Sequence, residues 1–99
     1  MSGPLAGFVI LDLSRVLSGP YCTMMLRDLG ATVIKVEQPG SGDEARHFLP
    51  LSGDGESAYF AAINRGKKSI ALDLKADPDR AVFEQLLARA DVLVENFRP

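Results

Sequence analysis

The first stretch able to do chemistry is the turn over residues 14–20, SRVLSGP, which joins an apolar run to a helix-patterned segment. Free backbone N–H groups and the helix dipole make such a turn a cradle for an anion, with Ser18 as N-cap and Pro20 in the first turn. It holds one glycine and neither GxGxxG nor GxxxxGK[ST]. Local sequence alone therefore favours a plain strand-to-helix connection. Asp12, just upstream, reads as a turn-capping acid rather than a ligand group. Glu37, at the end of a second apolar run, occupies the place of a ribose-binding acid, but the missing glycine fingerprint leaves that role little weight. Arg46, His47 and Phe48 lie in a long loop over residues 38–55 rich in glycine and proline, where they can reach a substrate; Phe48 reads as an anchor for that loop. Arg65, Gly66, Lys67 and Lys68 form a basic turn suited to a phosphate, a weak signal by itself. Cys22, with no histidine near it, reads as a buried small hydrophobe.

Composition narrows the classes. The 99 residues carry 46% hydrophobic and 24% charged side chains, an ordinary balance for one globular domain. Eleven basic against thirteen acidic residues give a net charge of -2 and no basic stripe for nucleic acid. A single cysteine excludes an intrachain disulfide. The amino terminus lacks a basic n-region and Asp12 interrupts its apolar run, so neither a signal peptide nor a membrane span is expected, and the cytoplasm is the expected setting. The lone histidine, His47, excludes a histidine metal cluster, and no metal is expected.

The elements that must position these groups alternate. Residues 8–13 and 31–36 are near-continuous apolar strands, the pattern of burial on both faces of a parallel sheet. Between them Tyr21, Met24, Met25 and Leu29 mark the apolar face of a helix that Gly30 ends. Residues 56–64 predict a short helix presenting Tyr59, Phe60 and Ile63 inward, and 69–74 a third strand. Asp77 as N-cap and Pro78 at the first helical position open a helix over 78–90 whose apolar face is Ala81, Val82, Leu86, Leu87 and Ala90. Residues 91–95 form a fourth strand. This order predicts an α/β fold with a mostly parallel sheet flanked by helices, whose ligand would sit at the carboxyl ends of the strands. The chain stops soon after that strand, so the sheet is expected to be incomplete, a fragment or a domain completed by a partner.

Three stretches in this order and spacing resemble the amino terminus of the family III CoA-transferases, the group that includes formyl-CoA transferase, carnitine CoA-transferase and α-methylacyl-CoA racemase. They are LDLSRVLSGPYCTMMLRDLGATVIKVEQPGSGDEAR at 11–46, YFAAINRGKKSIALDLK at 59–75 and ADVLVENFRP at 90–99. The resemblance implies that residues 1–99 are the amino-terminal part of a CoA-binding, Rossmann-like domain, and that the full-length enzyme is an interlocked homodimer. It places CoA contacts on Arg15, Val16, Leu17 and Ser18 after the first strand and on Gln38 after the second. It adds Leu72, Asp73, Leu74 and Lys75 after the third and Asn96, Phe97 and Arg98 after the fourth. Lys75 and Arg98 suit the phosphates of coenzyme A, Leu72 and Phe97 its apolar arm, and Asn96 a hydrogen bond.

The resemblance further implies acyl-CoA and a small carboxylic acid as substrates, with CoA passed through an aspartyl intermediate. The reacting aspartate is expected beyond residue 99, so no catalytic residue is assigned in this chain and it is expected to be inactive alone. Some relatives carry arginine in place of Gln38, which weakens a phosphate or adenine contact here. Oxalate-specific relatives carry tryptophan in place of Phe48, which argues against oxalate. The ending ENFRP favours a transferase; a segment of an α-methylacyl-CoA racemase and a non-catalytic nucleotide-binding or assembly module are the alternatives.

Overall fold

The computed structural model describes residues 3–98; Met1 and Ser2 of the lead-in and Pro99 of the closing motif lie outside them. Strands β1 (Val9–Asp12), β2 (Thr32–Glu37), β3 (Lys68–Ala71) and β4 (Val92–Val94) alternate with helices α1 (Ser18–Asp28), α2 (Ala58–Ile63) and α3 (Asp77–Arg89). A 3-10 turn, Glu44–His47, interrupts the long loop. The strands make one sheet in the order β3-β2-β1-β4, and every pairing is parallel. The expected α/β architecture is the one the chain adopts. β1 and β2 hold the two inner positions, which is why their sequences are the near-continuous apolar runs.

Alternation along the inner strands divides the core between the two faces. Ile10, Ala31 and Val33 pack with Leu26 of α1 on one face. Leu11, Leu13, Val36 and Leu72 pack with Phe83 and Leu86 of α3 on the other. β3 ends at Ala71, shorter than the run to Leu74 suggests. Leu72 still donates its N–H to the Glu37 carbonyl, at 2.9 Å, but the next N–H, that of Asp73, turns to the Asp79 carboxylate at 2.7 Å.

Helix α1 presents a face other than the one its apolar spacing suggests, and α3 only part of the one it suggests. On α1 the buried residues are Gly19, Pro20 and Thr23, whereas Tyr21, Met25 and Leu29 are 45–49% exposed. Cys22 is exposed too, not a buried hydrophobe. The cause is close approach: a Cβ on Gly19 would land on the Ser14 side chain, and the Thr23 hydroxyl donates to Asp12 at 2.6 Å. Small residues therefore set the inward face, and the larger stripe is turned out. On α3 the inward residues are Phe83, Leu86 and Ala90; Val82 and Leu87 are exposed. The cap positions also move by one. Leu17, not Ser18, precedes α1, and Ala76, not Asp77, precedes α3, in each case without a side-chain cap. Gly30 ends α1 as expected, at φ +106.

Candidate functional site

The connections after all four strands meet at the carboxyl edge of the sheet, where they enclose two adjoining clefts of about 560 and 510 Å³. Arg15, Gln38, Leu72, Asp73, Leu74, Lys75 and Phe97 line the larger. Arg15, Val16, Leu17, Ser18, Asn96 and Arg98 line the smaller. The positions that sequence reasoning singled out are thus brought together, and Arg15 is common to both clefts. β1 and β4 are where this strand order reverses direction, the usual ligand crevice of an open α/β sheet. There Asn96 brackets the backbone of Arg15: it accepts from the Arg15 N–H at 3.1 Å and donates to its carbonyl at 2.8 Å. Asn96 accordingly serves first to fasten one connection to the other.

The lining is apolar below and cationic at the rim. Leu13, Leu72, Leu74 and Phe97 supply apolar surface, and the Arg15 guanidinium lies 5.7 Å from the Phe97 ring centre. Lys75 and Arg98 are exposed on separate segments. The Asp73 carboxylate accepts from the Lys75 N–H at 3.0 Å, closing the turn after β3. The first turn of α1 has no acidic residue and no side-chain cap; Pro20 has no N–H, Gly19 is buried and the Tyr21 N–H donates to the Leu17 carbonyl at 2.7 Å, which leaves the N–H of exposed Ser18 for an outside acceptor.

Beneath the edge lies a buried ionic network that sequence reasoning missed. Asp12 and Lys35 are partners in the β1–β2 register. The Lys35 ammonium donates to Asp43 at 2.9 Å and to the Ser14 carbonyl at 3.0 Å, and the side chains of the Lys35–Asp43 pair are 1% and 0% exposed. Asp12 accepts from the Ser14 N–H at 2.8 Å, from the Ser14 hydroxyl and from Thr23, which is the turn-capping role expected of it. Lys67 lies 3.6 Å from Asp12 and donates to the Pro20 carbonyl and Asn64. Burial, with Lys35 nearby, lowers the Lys67 ammonium to about 8 despite Asp12. The visible signal was Lys35 itself, a lysine inside an otherwise apolar inner strand, which demands a buried partner.

Several other residues take different roles from those first assigned. Glu37 is committed to internal donors: it accepts two N–H bonds from Arg46 at 2.7 and 2.6 Å, an O–H bond from Ser69 at 2.6 Å and an N–H bond from Asp43 at 2.9 Å. Burial opposes its ionisation, but these donors overcome it and hold the carboxyl at about 2. Arg46 is spent on Glu37 and on the Phe60 ring, 4.1 Å away. The basic turn is dispersed: Arg65 pairs with Asp28 at 2.5 Å, Lys67 is buried and Lys68 enters β3. Phe48 packs on Tyr59 with ring centres 5.3 Å apart, the anchoring role, and the Tyr59 hydroxyl donates to the Val16 carbonyl at 3.1 Å. Val16 itself sits at φ +73. For a β-branched residue that left-handed conformation costs about 1–3 kcal/mol and must be held by its surroundings.

Against known proteins, the sequence model described as CoA-transferase family III matches residues 5–99. The chain is 53% identical to acetyl-CoA:oxalate CoA-transferase of Acetobacter aceti over 98% of its own length and 25% of that protein's. It is 52% identical to succinyl-CoA:mesaconate CoA-transferase of Haloarcula hispanica over 97% of its length and 25% of the relative's. Its backbone superposes on a CaiB/BaiF family protein from Brucella suis with a TM-score of 0.89 and 44% identity, over 98% of this chain and 26% of that one. The chain thus spans about a quarter of the length of the curated relatives it matches.

Proposed function

Because the chain belongs to the family III CoA-transferases, we propose that the carboxyl edge of its sheet grips the CoA portion of an acyl-CoA. In that reading residues 1–99 are the CoA-binding part of a longer enzyme that moves CoA between carboxylic acids. The observation that carries it is the convergence of Arg15, Lys75 and Arg98 with Leu72, Leu74 and Phe97 around two clefts that share Arg15. CoA needs that combination of cations for its phosphates and an apolar slot for its adenine and pantetheine. Lys75 and Arg98 take phosphates, the Ser18 N–H at the start of α1 takes an anionic oxygen, and Gln38 borders the slot.

The relatives are named for oxalate and mesaconate; here the acceptor is a small carboxylic acid. The acids beneath the edge, Asp12, Glu37 and Asp43, are buried and committed to internal donors, which suits them to structure rather than to attack on a thioester. The nucleophile is therefore an aspartate elsewhere in the longer enzyme, an interlocked homodimer in this reading. Its carboxylate displaces CoA thiolate from the acyl-CoA to give a mixed anhydride. The thiolate then attacks the aspartyl carbonyl, releasing the first acid and leaving an aspartyl thioester, from which the second acid takes CoA. The 99-residue chain alone does not turn over, and it works in a reducing cytoplasm.

Calorimetric titration of the chain tests this with CoA, with dephospho-CoA, and with Lys75→Ala and Arg98→Ala. CoA binding that weakens with added salt, with loss of the 3′-phosphate and in each variant supports the reading. No heat at millimolar CoA, or an affinity indifferent to all three changes, contradicts it.

A further inference from the structure

We propose that Asp43, with Lys35 behind it, and Tyr59 are positioning residues that hold the loop after β1 in its ligand-binding form by clamping Val16 in the left-handed conformation. This rests on the reading of that edge as the CoA site. Val16 stands between Arg15, which both clefts share, and Leu17, which precedes α1. A left-handed residue there reverses the chain locally. It lets Arg15 run along Phe97 while the chain passes through exposed Leu17 and Ser18 into the helix. Valine does not adopt φ +73 unaided.

Both polar groups of its backbone are held. The Val16 N–H donates to the two Asp43 carboxylate oxygens at 3.2 and 3.3 Å, and its carbonyl accepts from Tyr59 at 3.1 Å. The holders are themselves fixed. Asp43 is locked by Lys35 at 2.9 Å and by the Ala45 N–H at 2.9 Å, and Tyr59 rests against Phe48. Lys35 and Asp43 border the floor of the larger cleft, while Tyr59 and Phe48 line neither cleft. The effect of Tyr59 on the ligand therefore passes through the direction of the loop.

The prediction separates aiming from mere stability because glycine adopts φ > 0 without strain. Tyr59→Phe removes one hydroxyl and keeps the packing on Phe48; it should weaken CoA binding about fivefold, the effect of one net hydrogen bond. In a Val16→Gly background the same change should cost less than about twofold, since residue 16 no longer needs holding. Asp43→Ala, which removes the acceptor of the Val16 N–H, should show the same pattern with a larger loss; Tyr59→Phe decides the matter if Asp43→Ala does not fold. An equal loss in both backgrounds would overturn the clamp. A second readout is independent of CoA: the Cα and Cβ chemical shifts of Val16 should move from left-handed toward extended values in Tyr59→Phe. If CoA does not bind the chain at all, the reading of the edge as a CoA site fails while these shifts still decide the clamp. Left-handed shifts that persist in both variants would refute it.

Discussion

The Lys35–Asp43 pair offers the sharpest test of how the carboxyl edge is built. At 2.9 Å and an effective dielectric of about 20, the attraction is roughly 6 kcal/mol. Desolvating the two ions costs several kcal/mol each, so the intact pair is close to neutral against an uncharged pair of the same shape. Removing one partner is another matter. Asp43→Asn leaves the Lys35 ammonium buried without a counter-charge, and Lys35→Met does the same to the Asp43 carboxylate; each should cost about 3 kcal/mol. That is a large share of the roughly 5–15 kcal/mol typical of a domain. The double change Lys35→Met/Asp43→Asn removes both charges and keeps an oxygen facing the Val16 and Ala45 N–H groups. Its principal loss is the bond to the Ser14 carbonyl, about 1 kcal/mol. Urea unfolding followed by circular dichroism should therefore show the double variant about 4–5 kcal/mol more stable than the two single losses summed. Additivity within 0.5 kcal/mol would refute a tightly coupled buried pair.

Glu37, held at about 2 against an ordinary 4.5, contributes up to about 3 kcal/mol above pH 4.5, lost as pH falls toward 2; acid unfolding of Glu37→Gln should lack that limb. Lys67, lowered to about 8 from 10.5, binds a proton more weakly folded than unfolded. Stability should therefore rise between pH 8 and 10.5 by up to about 3 kcal/mol relative to Lys67→Met, measured by urea unfolding at each pH. Gln38→Arg adds a cation to the larger cleft and should tighten CoA binding about three- to tenfold in low salt, with the gain shrinking as salt is raised.

Much of this architecture is legible in the sequence, for identifiable reasons. Residues 8–13 and 31–36 read as inner strands because a parallel sheet buries both their faces, and the ligand edge follows from where connections leave parallel strands. The residues expected to contact CoA consequently gather on one edge. The buried face of α1 is not legible because apolar spacing assumes that large residues point inward, whereas Gly19 and Thr23 bring this helix so close to Ser14 and Asp12 that only small side chains fit. Arg46 reads as free to reach a substrate, and the pairing that spends it on Glu37 stays hidden, because a contact across the loop leaves no periodic trace. The left-handed Val16 is less visible still. Valine does not announce a positive φ, and its holders, Asp43 and Tyr59, lie far along the chain.

In the proposed function CoA is held at the carboxyl edge of this sheet. Titrating the ¹⁵N-labelled chain with CoA while following backbone amide shifts tests it most directly. The shifting amides should cluster at residues 15–18, 38, 72–75 and 96–98, with Arg15 among the largest. Shifts confined to the opposite end of the strands, around Phe8 and Ala31, or no shifts at millimolar CoA, would contradict it.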